Sequence, residues 1–344
     1  MGRTNSLLVS IIIANFNGEK YLSTCLKSVL KSVLENYEIL IVDDGSDDKS
    51  KDIISKFIAK DKRIKLIENG KNIGAAASRN RAIKKAKGEI LVFLDNDTEI
   101  TENWLEELIK PLLREKNIGA AQALLLDFEK RDLIQMAGGL LTPHTGWLVP
   151  FYQWEGYSQV KNKLKKRDIV GISAALAVKR EVIDKIGGFD EKEAVYTEDL
   201  DFCWRIWIAG YRIVLANKSI VYHYTKSVLD RAGMKATNRK IYFNLAKNSF
   251  RSILKNYQLT NVILFLTTSI VINILRGIIV LVRNKTFSAL TGTFDAIIWS
   301  IENLSDTFKK RSDVQRTRKT SDNYIMRRVF ISENIFGVYN KYFR

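Results

Sequence analysis

The sequence predicts an α/β fold with a mostly parallel sheet and helices on both faces, followed by a helical, basic C-terminal region. Two observations predict it. Over the first hundred residues, short apolar runs alternate with segments whose apolar residues recur at helical spacing. Beyond residue 225 the apolar runs lengthen and basic residues accumulate. Strands that alternate with helices at this spacing need crossover connections, which build parallel sheets.

The predicted strands of the first part are short runs rich in Ile, Val and Leu. They cover residues 7–13, 38–44, 63–69, 89–95 and 118–126. The predicted helices cover residues 19–34, 50–59, 75–87 and 101–114, the last with Thr101 as its N-cap. Residues 168–190 predict a strand, a helix and a turn, residues 197–209 a helix, and residues 211–216 a further strand.

The C-terminal third differs from the rest in charge and in apolar pattern. Of the net charge of +17, residues 226–344 contribute +14 and residues 1–225 only +3. Residues 262–282 form an apolar run that is long enough to span a bilayer. However, Ser269, Asn273 and Arg276 recur along one helical side, which suits a helix lying in the membrane interface at least as well.

These features predict three segments. Residues 1–225 form the α/β domain, residues 226–308 a helical membrane-associating region, and residues 309–344 a basic tail. The basic residues of the run 309–319 would attract an anionic lipid surface. An ordinary helical subdomain with a solvated tail is the alternative. No recognised nucleic-acid module accompanies the positive charge, so we expect no nucleic-acid partner.

Cysteine content and the N-terminal residues bear on the compartment. Cys25 and Cys203 are the only cysteines and lie far apart, which argues against a disulfide framework or a zinc module. Residues 1–13 do not have the basic flank and long apolar core of a signal peptide. We expect a protein at the cytoplasmic face of the cell membrane, either peripheral or with a single span.

Polar side chains follow the predicted strands where each one ends. Asn15, Asp44 and Asp95 come directly after or at the end of three of these strands. In open parallel sheets, ligands bind outside the carboxyl ends of the strands. Taken singly, each of these residues could belong to an ordinary turn or a helix cap. Their coincidence at one edge predicts a binding site.

Asp95 and Asp97 are separated by a single residue on a loop that leaves a buried strand. Carboxylate oxygens are the ligands that hard divalent cations prefer, and Mg²⁺ or Mn²⁺ is usually shared between carboxylates and substrate phosphates. This pair therefore predicts a site that holds a metal together with a phosphorylated substrate.

A series of motifs in this order resembles the family 2 glycosyltransferases of GT-A fold, closest to the rhamnosyltransferase-like enzymes. The resemblance covers roughly residues 7–228. It rests on VDDGSDD (residues 42–48), ILVFLDNDTEI (residues 90–100), GGFD (residues 187–190), VYTEDLDFCWRIW (residues 195–207) and VYHYTKS (residues 221–227). The family usually has a proline near position 14 or 15, where this chain has Ala14 and Asn15.

The resemblance implies a role for each matching position on the donor side. It implies a nucleotide-sugar donor with Mn²⁺ or Mg²⁺ as the cofactor. Ala14 and Phe16 would line the nucleotide pocket, and Asp44 would hydrogen-bond the base. Three further positions complete this side: Arg79 near the base or diphosphate, Asp95 at the ribose, and Asp97 at the metal.

On the acceptor side, the resemblance makes Asp199 the general base of an inverting transfer to a glycan or lipid-linked acceptor. His223 matches a position that can supply a further metal ligand, although a lone histidine is often structural. Residues predicted to contact the acceptor or shape the site are Gly171, Glu198, Trp204 and Arg205, and His144 lies nearer the acceptor entrance. A capped, acidic helix start is the alternative for residues 197–201.

Two other functions stay open at this stage. One is a polyprenyl-phosphate glycosyltransferase, which two clear transmembrane helices would favour. The other, from a different class, is a non-catalytic, membrane-bound scaffold or nucleic-acid-binding protein that uses the basic third.

Overall fold

A computed structural model of the chain describes residues 7–224 and 238–331. Its strands are β1 (Val9–Asn15), β2 (Tyr37–Asp43), β3 (Ile64–Glu68), β4 (Ile90–Asp95), β5 (Thr98–Ile100), β6 (Ile118–Asp127), β7 (Ile134–Met136), β8 (Gly139–Leu141), β9 (Leu148–Pro150), β10 (Ala175–Lys179) and β11 (Arg212–His223). Its helices are α1 (Glu19–Val29), α2 (Ser50–Ile58), α3 (Ala75–Lys85), α4 (Trp104–Arg114), α5 (Tyr157–Val160), α6 (Arg180–Ile186), α7 (Glu198–Ile208), α8 (Arg239–Asn256), α9 (Leu259–Asn284), α10 (Ser288–Glu302), α11 (Leu304–Thr317) and α12 (Asp322–Val329).

Most strands of the central sheet end at the same edge. The strand order is β3-β2-β1-β4-β10-β6-β11-β5, with β7 beside β6. The first four strands in this order are parallel, as predicted. Strand β10 runs antiparallel between β4 and β6, and β11 runs parallel to β6. The carboxyl ends of β1, β2, β4, β6 and β11 therefore lie along one edge.

Apolar residues of alternating orientation cover both faces of this sheet. Ile11 and Ile13 of β1 belong to one core cluster with α1 and α4, whereas Ile12 belongs to a second cluster that includes Trp207 of α7. Because both faces are buried, the strands read as continuous apolar runs in the sequence. The polar groups are thereby confined to the strand ends.

Several predicted elements differ in their bounds. Helix α1 ends at Val29, before the predicted residue 34. Thr101 is not the N-cap of α4, which begins at Trp104 after Asn103. Residues 239–256, which lie in the region predicted to be helical but were not delimited as a helix, form the long helix α8.

The C-terminal helices pack against the α/β domain through a buried network of charges. Lys255 Nζ on α8 lies 2.5 Å from Asp190 Oδ2, 2.8 Å from Glu193 Oε1 and 3.0 Å from Asp201 Oδ1. Arg251 binds Asp190 as well. Removing one member of a buried ion pair leaves an uncompensated charge and costs roughly 3–5 kcal/mol. The network therefore fixes α8 against α7, which carries Asp201.

The structure describes the chain around one of the two predicted segment boundaries. The boundary at 308/309 lies inside α11, so the basic run at 309–319 is largely helical. Helix α11 is held to α8 by the pair of Arg251 Nη2 with Asp306 Oδ2 at 2.7 Å. The boundary at 225/226 and the final residues of the predicted tail lie outside the described residues.

Helix α9 turns its polar side toward the protein. Ser269 and Asn273 are fully buried, and Gly277 contacts α10 closely enough that a Cβ there would lie 2.7 Å from Leu290. The guanidinium of Arg276 lies 4.7 Å from the ring centre of Trp147. The opposite side of α9 is apolar and exposed, with Ile263, Leu275 and Val282 at 74%, 50% and 73% exposure. An ordinary surface helix shows the reverse pattern.

Candidate functional site

Asparagine side chains join the ends of β1, β2 and β4. The Asn15 amide donates to Asp43 Oδ1 at 3.0 Å, and Asn96 donates to Asn15 Oδ1 at 2.7 Å. Gly18 lies against this pair, because a Cβ there would come within 2.1 Å of Asn15 Oδ1. These contacts fix the loop that carries Asp95 and Asp97 to the end of β1.

Asp95, Asp97 and His223 come together at the carboxyl ends of β4 and β11. Each offers one ligand atom, and these three atoms all lie within 4.8 Å of one another. His223 Nε2 lies 3.2 Å from Asp97 Oδ1. The short strand β5 produces this approach, because it follows Asp97 directly and pairs Thr98 with His223.

This cluster fits a divalent cation in the chemistry of its donors. Two carboxylates and an imidazole are acceptable ligands for Mn²⁺, and the imidazole is less suited to Mg²⁺. His223 Nδ1 lies 2.8 Å from Gln135 Oε1, so a proton on Nδ1 leaves the Nε2 lone pair facing Asp97. The sequence reasoning missed Gln135, because a single glutamine in a three-residue strand has no pattern around it.

Arg79 joins the cation cluster to helix α7. This side chain is 5% exposed, and its guanidinium donates to Asp95 Oδ1 at 3.0 Å and to Glu198 Oε1 at 3.1 Å. Burial alone would lower the pKa of Arg79, but the nearby carboxylates outweigh it and raise the pKa. The guanidinium is therefore a fixed positive charge between the two halves of the site.

Asp199 lies at the start of α7, beside Glu198. Its Oδ2 accepts a hydrogen bond from the backbone N–H of Ser173 at 3.1 Å. Burial, and next the negative charge of Glu198, raise the pKa of Asp199 to about 7. Burial also raises the pKa of Glu198, although Arg79 opposes this shift. A carboxyl group with a pKa near the working pH can take up and release a proton.

The residues predicted to line the nucleotide pocket lie at the ends of β1 and β2. Phe16 is 42% exposed, and Ala14 is partly exposed beside it. Asp44 is 4% exposed, and its carboxylate accepts hydrogen bonds from Asn69 Nδ2 and from the backbone N–H groups of Ile73 and Gly74. In the described structure Asp44 thus fixes the loop before α3, and its contact with a base remains a prediction.

Trp204 and Arg205, predicted to contact the acceptor or shape the site, are buried in contacts with other parts of the protein. Trp204 is 2% exposed and meets the rings of Tyr257 and Phe330 edge to face. Arg205 donates to Asp201 Oδ2 at 2.8 Å and to two backbone carbonyls at the end of α6. Both residues therefore hold α7 in place through buried packing and hydrogen bonds.

Gly171 and His144 lie in the loops around α7. A Cβ at Gly171 would lie 2.9 Å from Gln122 Oε1, so the backbone passes close to Gln122 here. Two residues later, Ser173 donates its backbone N–H to Asp199. His144 Nδ1 lies 2.9 Å from Thr268 Oγ1, which ties its loop to α9. Thr225, Lys226 and Ser227 of the VYHYTKS motif lie outside the described residues.

The chain matches a family model described as Glycosyl transferase family 2 over residues 10–187, more than half of its length. It is 41% identical over 107 residues to UDP-Glc:alpha-D-GlcNAc-diphosphoundecaprenol beta-1,3-glucosyltransferase WfgD of Escherichia coli, covering 31% of this chain and 42% of that protein. It is 26% identical over 265 residues to the cholesterol galactosyltransferase of Borreliella burgdorferi, covering 74% and 69% of the two chains. The first five curated relatives are matched over only 24–44% of their own lengths.

Among solved structures, the fold is similar to that of GalNAc-T7 with UDP, GalNAc and Mn2+. The TM-score is 0.62 at 17% sequence identity, over 98% of this chain and 58% of that one. At this level of identity the likeness shows a common fold, the GT-A fold that the sequence motifs predicted.

Proposed function

The chain belongs to glycosyl transferase family 2, and from that membership we propose that it transfers a sugar from a nucleotide-sugar donor to a hydroxyl of an acceptor. The acceptor is a glycan or a lipid-linked sugar of the cell envelope. The observation that carries the proposal is the convergence of Asp95, Asp97 and His223, with Arg79 connecting Asp95 to the helix of Asp199. A rhamnosyltransferase-like subgroup remains a prediction.

The donor side comprises the ends of β1, β2 and β4. Phe16 and Ala14 face the nucleoside, and Arg79 adds a buried positive charge where a diphosphate binds. Asp95, Asp97 and His223 hold a divalent cation, Mn²⁺ or Mg²⁺. GalNAc-T7, which shares the fold, is described with UDP and Mn2+. A bound cation stabilises the negative charge that develops on a leaving diphosphate.

Asp199 is the general base in this proposal. Its carboxylate takes the proton from the acceptor hydroxyl while that oxygen bonds to the anomeric carbon of the donor sugar. The bond between the anomeric carbon and the diphosphate oxygen breaks on the opposite face, and the nucleoside diphosphate leaves. The configuration is inverted in this single step, so no protein nucleophile is needed. Ser173 orients Asp199 through its backbone N–H.

Release of nucleoside diphosphate tests the proposal. With Mn²⁺ and no acceptor, we expect slow hydrolysis of one nucleotide-sugar from a panel of UDP-, GDP- and dTDP-sugars. The pKa of about 7 at Asp199 means that the active carboxylate form increases with pH. In this assay water takes the place of the acceptor hydroxyl. The rate of hydrolysis should therefore rise about tenfold between pH 6 and pH 8, as expected for one titrating base.

Nucleotide binding over the same pH range is the control, because a change in binding of the donor would also change the rate. A rate that stays flat between pH 6 and pH 8 while nucleotide binding is constant would exclude Asp199 as the base. Hydrolysis of no donor in the panel would contradict the transferase proposal itself.

A second part of the proposal concerns the membrane. Within residues 7–224 and 238–331, one helix, α9, is long and apolar enough to cross a bilayer. Its buried side packs along the protein from Val262 to Gly277, so leaving that surface would expose Ser269 and Asn273 to lipid. The exposed face continues on α10 with Phe294, Ile298 and Ile301.

Helices α9 and α10 therefore lie on the membrane rather than across it in this proposal. An exposed apolar surface of this extent on a soluble domain marks a site of association. Arg283 and Lys285 are exposed at the turn between the two helices, and Lys309 and Lys310 follow on α11. Basic side chains beside an apolar face suit an anionic lipid surface.

Vesicle binding tests this association. The double substitution Ile263→Asp and Ile298→Asp replaces side chains that are 74% and 56% exposed, so the fold should be kept. Each apolar side chain buried in lipid contributes about 1.5–3 kcal/mol. We expect the partition onto phosphatidylglycerol-containing vesicles to fall more than tenfold in a sedimentation assay. Val33→Asp, at an isolated apolar position with 60% exposure, is the matched control. Equal sedimentation of all three proteins would contradict the proposal.

A further inference from the structure

An aromatic pocket lies beyond the cation cluster, on the side away from β1 and β2. Its volume is about 380 Å³, within the range of small-ligand sites. Its apolar lining comprises Phe128, Leu133, Trp154 and Tyr224, and its polar lining comprises Asp127, Glu129 and Lys130. None of these residues had a role predicted from the sequence.

The pocket is connected to the cation cluster through the backbone. The N–H of Tyr224 donates to the carbonyl of Asp97 at 3.1 Å, and the N–H of Phe128 donates to the carbonyl of His223 at 3.0 Å. Tyr224 and Phe128 are therefore each one backbone hydrogen bond away from a residue of the cluster. The predicted nucleotide pocket lies at the other end of the same edge, at β1 and β2, so this pocket and the nucleotide pocket lie on opposite sides of the cation cluster.

The walls of the pocket are held in position by other side chains. Phe128 and Tyr224 stack with ring centres 3.5 Å apart and an interplanar angle of 20°. The guanidinium of Arg131 lies over Phe128 at 4.9 Å and over Tyr222 at 4.2 Å. A wall built in this way keeps its shape without a ligand, which lowers the entropic cost of binding.

Trp154 forms the accessible part of the lining. Its side chain is 49% exposed, and its backbone has a φ of 66°, an uncommon value for an aromatic residue. Tyr152, two residues earlier, has a φ of 54°. Such conformations cost of order 1–3 kcal/mol each and cluster at functional sites. Burying Trp154 would remove apolar surface from water, so its exposure is a cost that a ligand can recover.

We propose that this pocket binds a pyranose ring of the acceptor glycan, with Trp154 as the stacking platform. The inference rests on the proposed function and names the acceptor subsite. One face of a pyranose presents C–H groups with partial positive charge, and the face of an aromatic ring is negative. Glu129 and Lys130 are exposed at the rim, where they can accept and donate hydrogen bonds to the ring hydroxyls.

Saturation-transfer NMR on the full chain tests the subsite. The probes are the methyl pyranosides of glucose, galactose, mannose, N-acetylglucosamine and rhamnose, with sorbitol as an acyclic control that has hydroxyls but no ring face. We expect saturable, millimolar binding of at least one pyranoside and none of sorbitol. Trp154→Ala should weaken that binding at least tenfold, and Trp154→Phe should retain most of it.

Nucleotide affinity with Mn²⁺ separates this inference from the proposed function. Trp154→Ala should leave that affinity unchanged, because Trp154 lies outside the donor side. Unaltered pyranoside binding in Trp154→Ala, or no saturable binding of any pyranoside by the unmodified chain, would overturn the subsite while leaving the donor site untouched. Absent nucleotide binding in the unmodified chain would instead contradict the proposed function.

Discussion

Asp199→Asn should lower the rate of sugar transfer by a factor of about a hundred to ten thousand, the usual contribution of a general base. The amide keeps the size of the carboxylate, and its oxygen can still accept the hydrogen bond from the N–H of Ser173. It cannot take a proton from the acceptor hydroxyl. We expect kcat to fall while the affinity for nucleotide and Mn²⁺ stays within a factor of two or three. Initial rates and calorimetric titrations measure the two quantities.

Thermal unfolding distinguishes a catalytic effect from a folding defect. The pKa of Asp199 is about 7 in the folded protein, against an ordinary value of 3.8. Its contribution to stability is therefore full below pH 3.8, falls as the pH rises toward 7, and remains lost above it. A neutral asparagine does not incur this loss, so at pH 8 the variant should unfold at the same or a higher temperature. Normal turnover in a stable Asp199→Asn protein would exclude the base assignment.

Asp97→Ala should remove the gain in nucleotide affinity that Mn²⁺ provides. Asp97 is 3% exposed, and its Oδ1 lies 3.2 Å from His223 Nε2 within the cation cluster. A cation at a diphosphate is worth several kcal/mol, and each 1.4 kcal/mol is a factor of ten. We expect at least a hundredfold loss of affinity with Mn²⁺ present and little change without it, measured by calorimetry with UDP and GDP.

Two further variants make this result interpretable. Asp97→Asn keeps the volume of the side chain and should lose most of the Mn²⁺ effect, which attributes the loss to charge. Glu102→Ala removes an exposed carboxylate just beyond β5, five residues further along the chain, and should behave like the unmodified chain. If Asp97→Ala retained the full Mn²⁺ effect, Asp97 would not be a ligand.

Sequence patterns predicted the first half of the fold well, because both faces of its strands are buried. An apolar run such as residues 90–94 allows few other structures, and the polar residues that follow it then mark the sheet edge. Short strands were not predicted in this way. β5 and β7 have three residues each, too few to show an alternation, yet they bring Thr98 and Gln135 against His223.

The bounds of helix α8 were not predicted, for a different reason. Its buried side mixes apolar residues with Asn248, Arg251 and Lys255, which weakens the apolar stripe by which a helix is recognised in a sequence. These residues are buried because Asp190, Glu193 and Asp201 accept their hydrogen bonds, and a single sequence does not reveal such long-range pairing. Helix α9, by contrast, was predicted from its apolar run, but the sequence did not show that its polar stripe faces the protein.

The pairing of Lys255 with three carboxylates has a consequence for the modularity of the chain. A fragment ending near residue 225 would contain Asp190, Glu193 and Asp201 but not the lysine that neutralises them. Such a truncation would not isolate an independent domain. It would remove the buried lysine that pairs with the three carboxylates in α7 and in the segment before it. The C-terminal helices and α7, which carries Asp199, thus form one folded unit. If the proposed membrane surface binds lipid, this unit would keep Asp199 at a fixed distance from it.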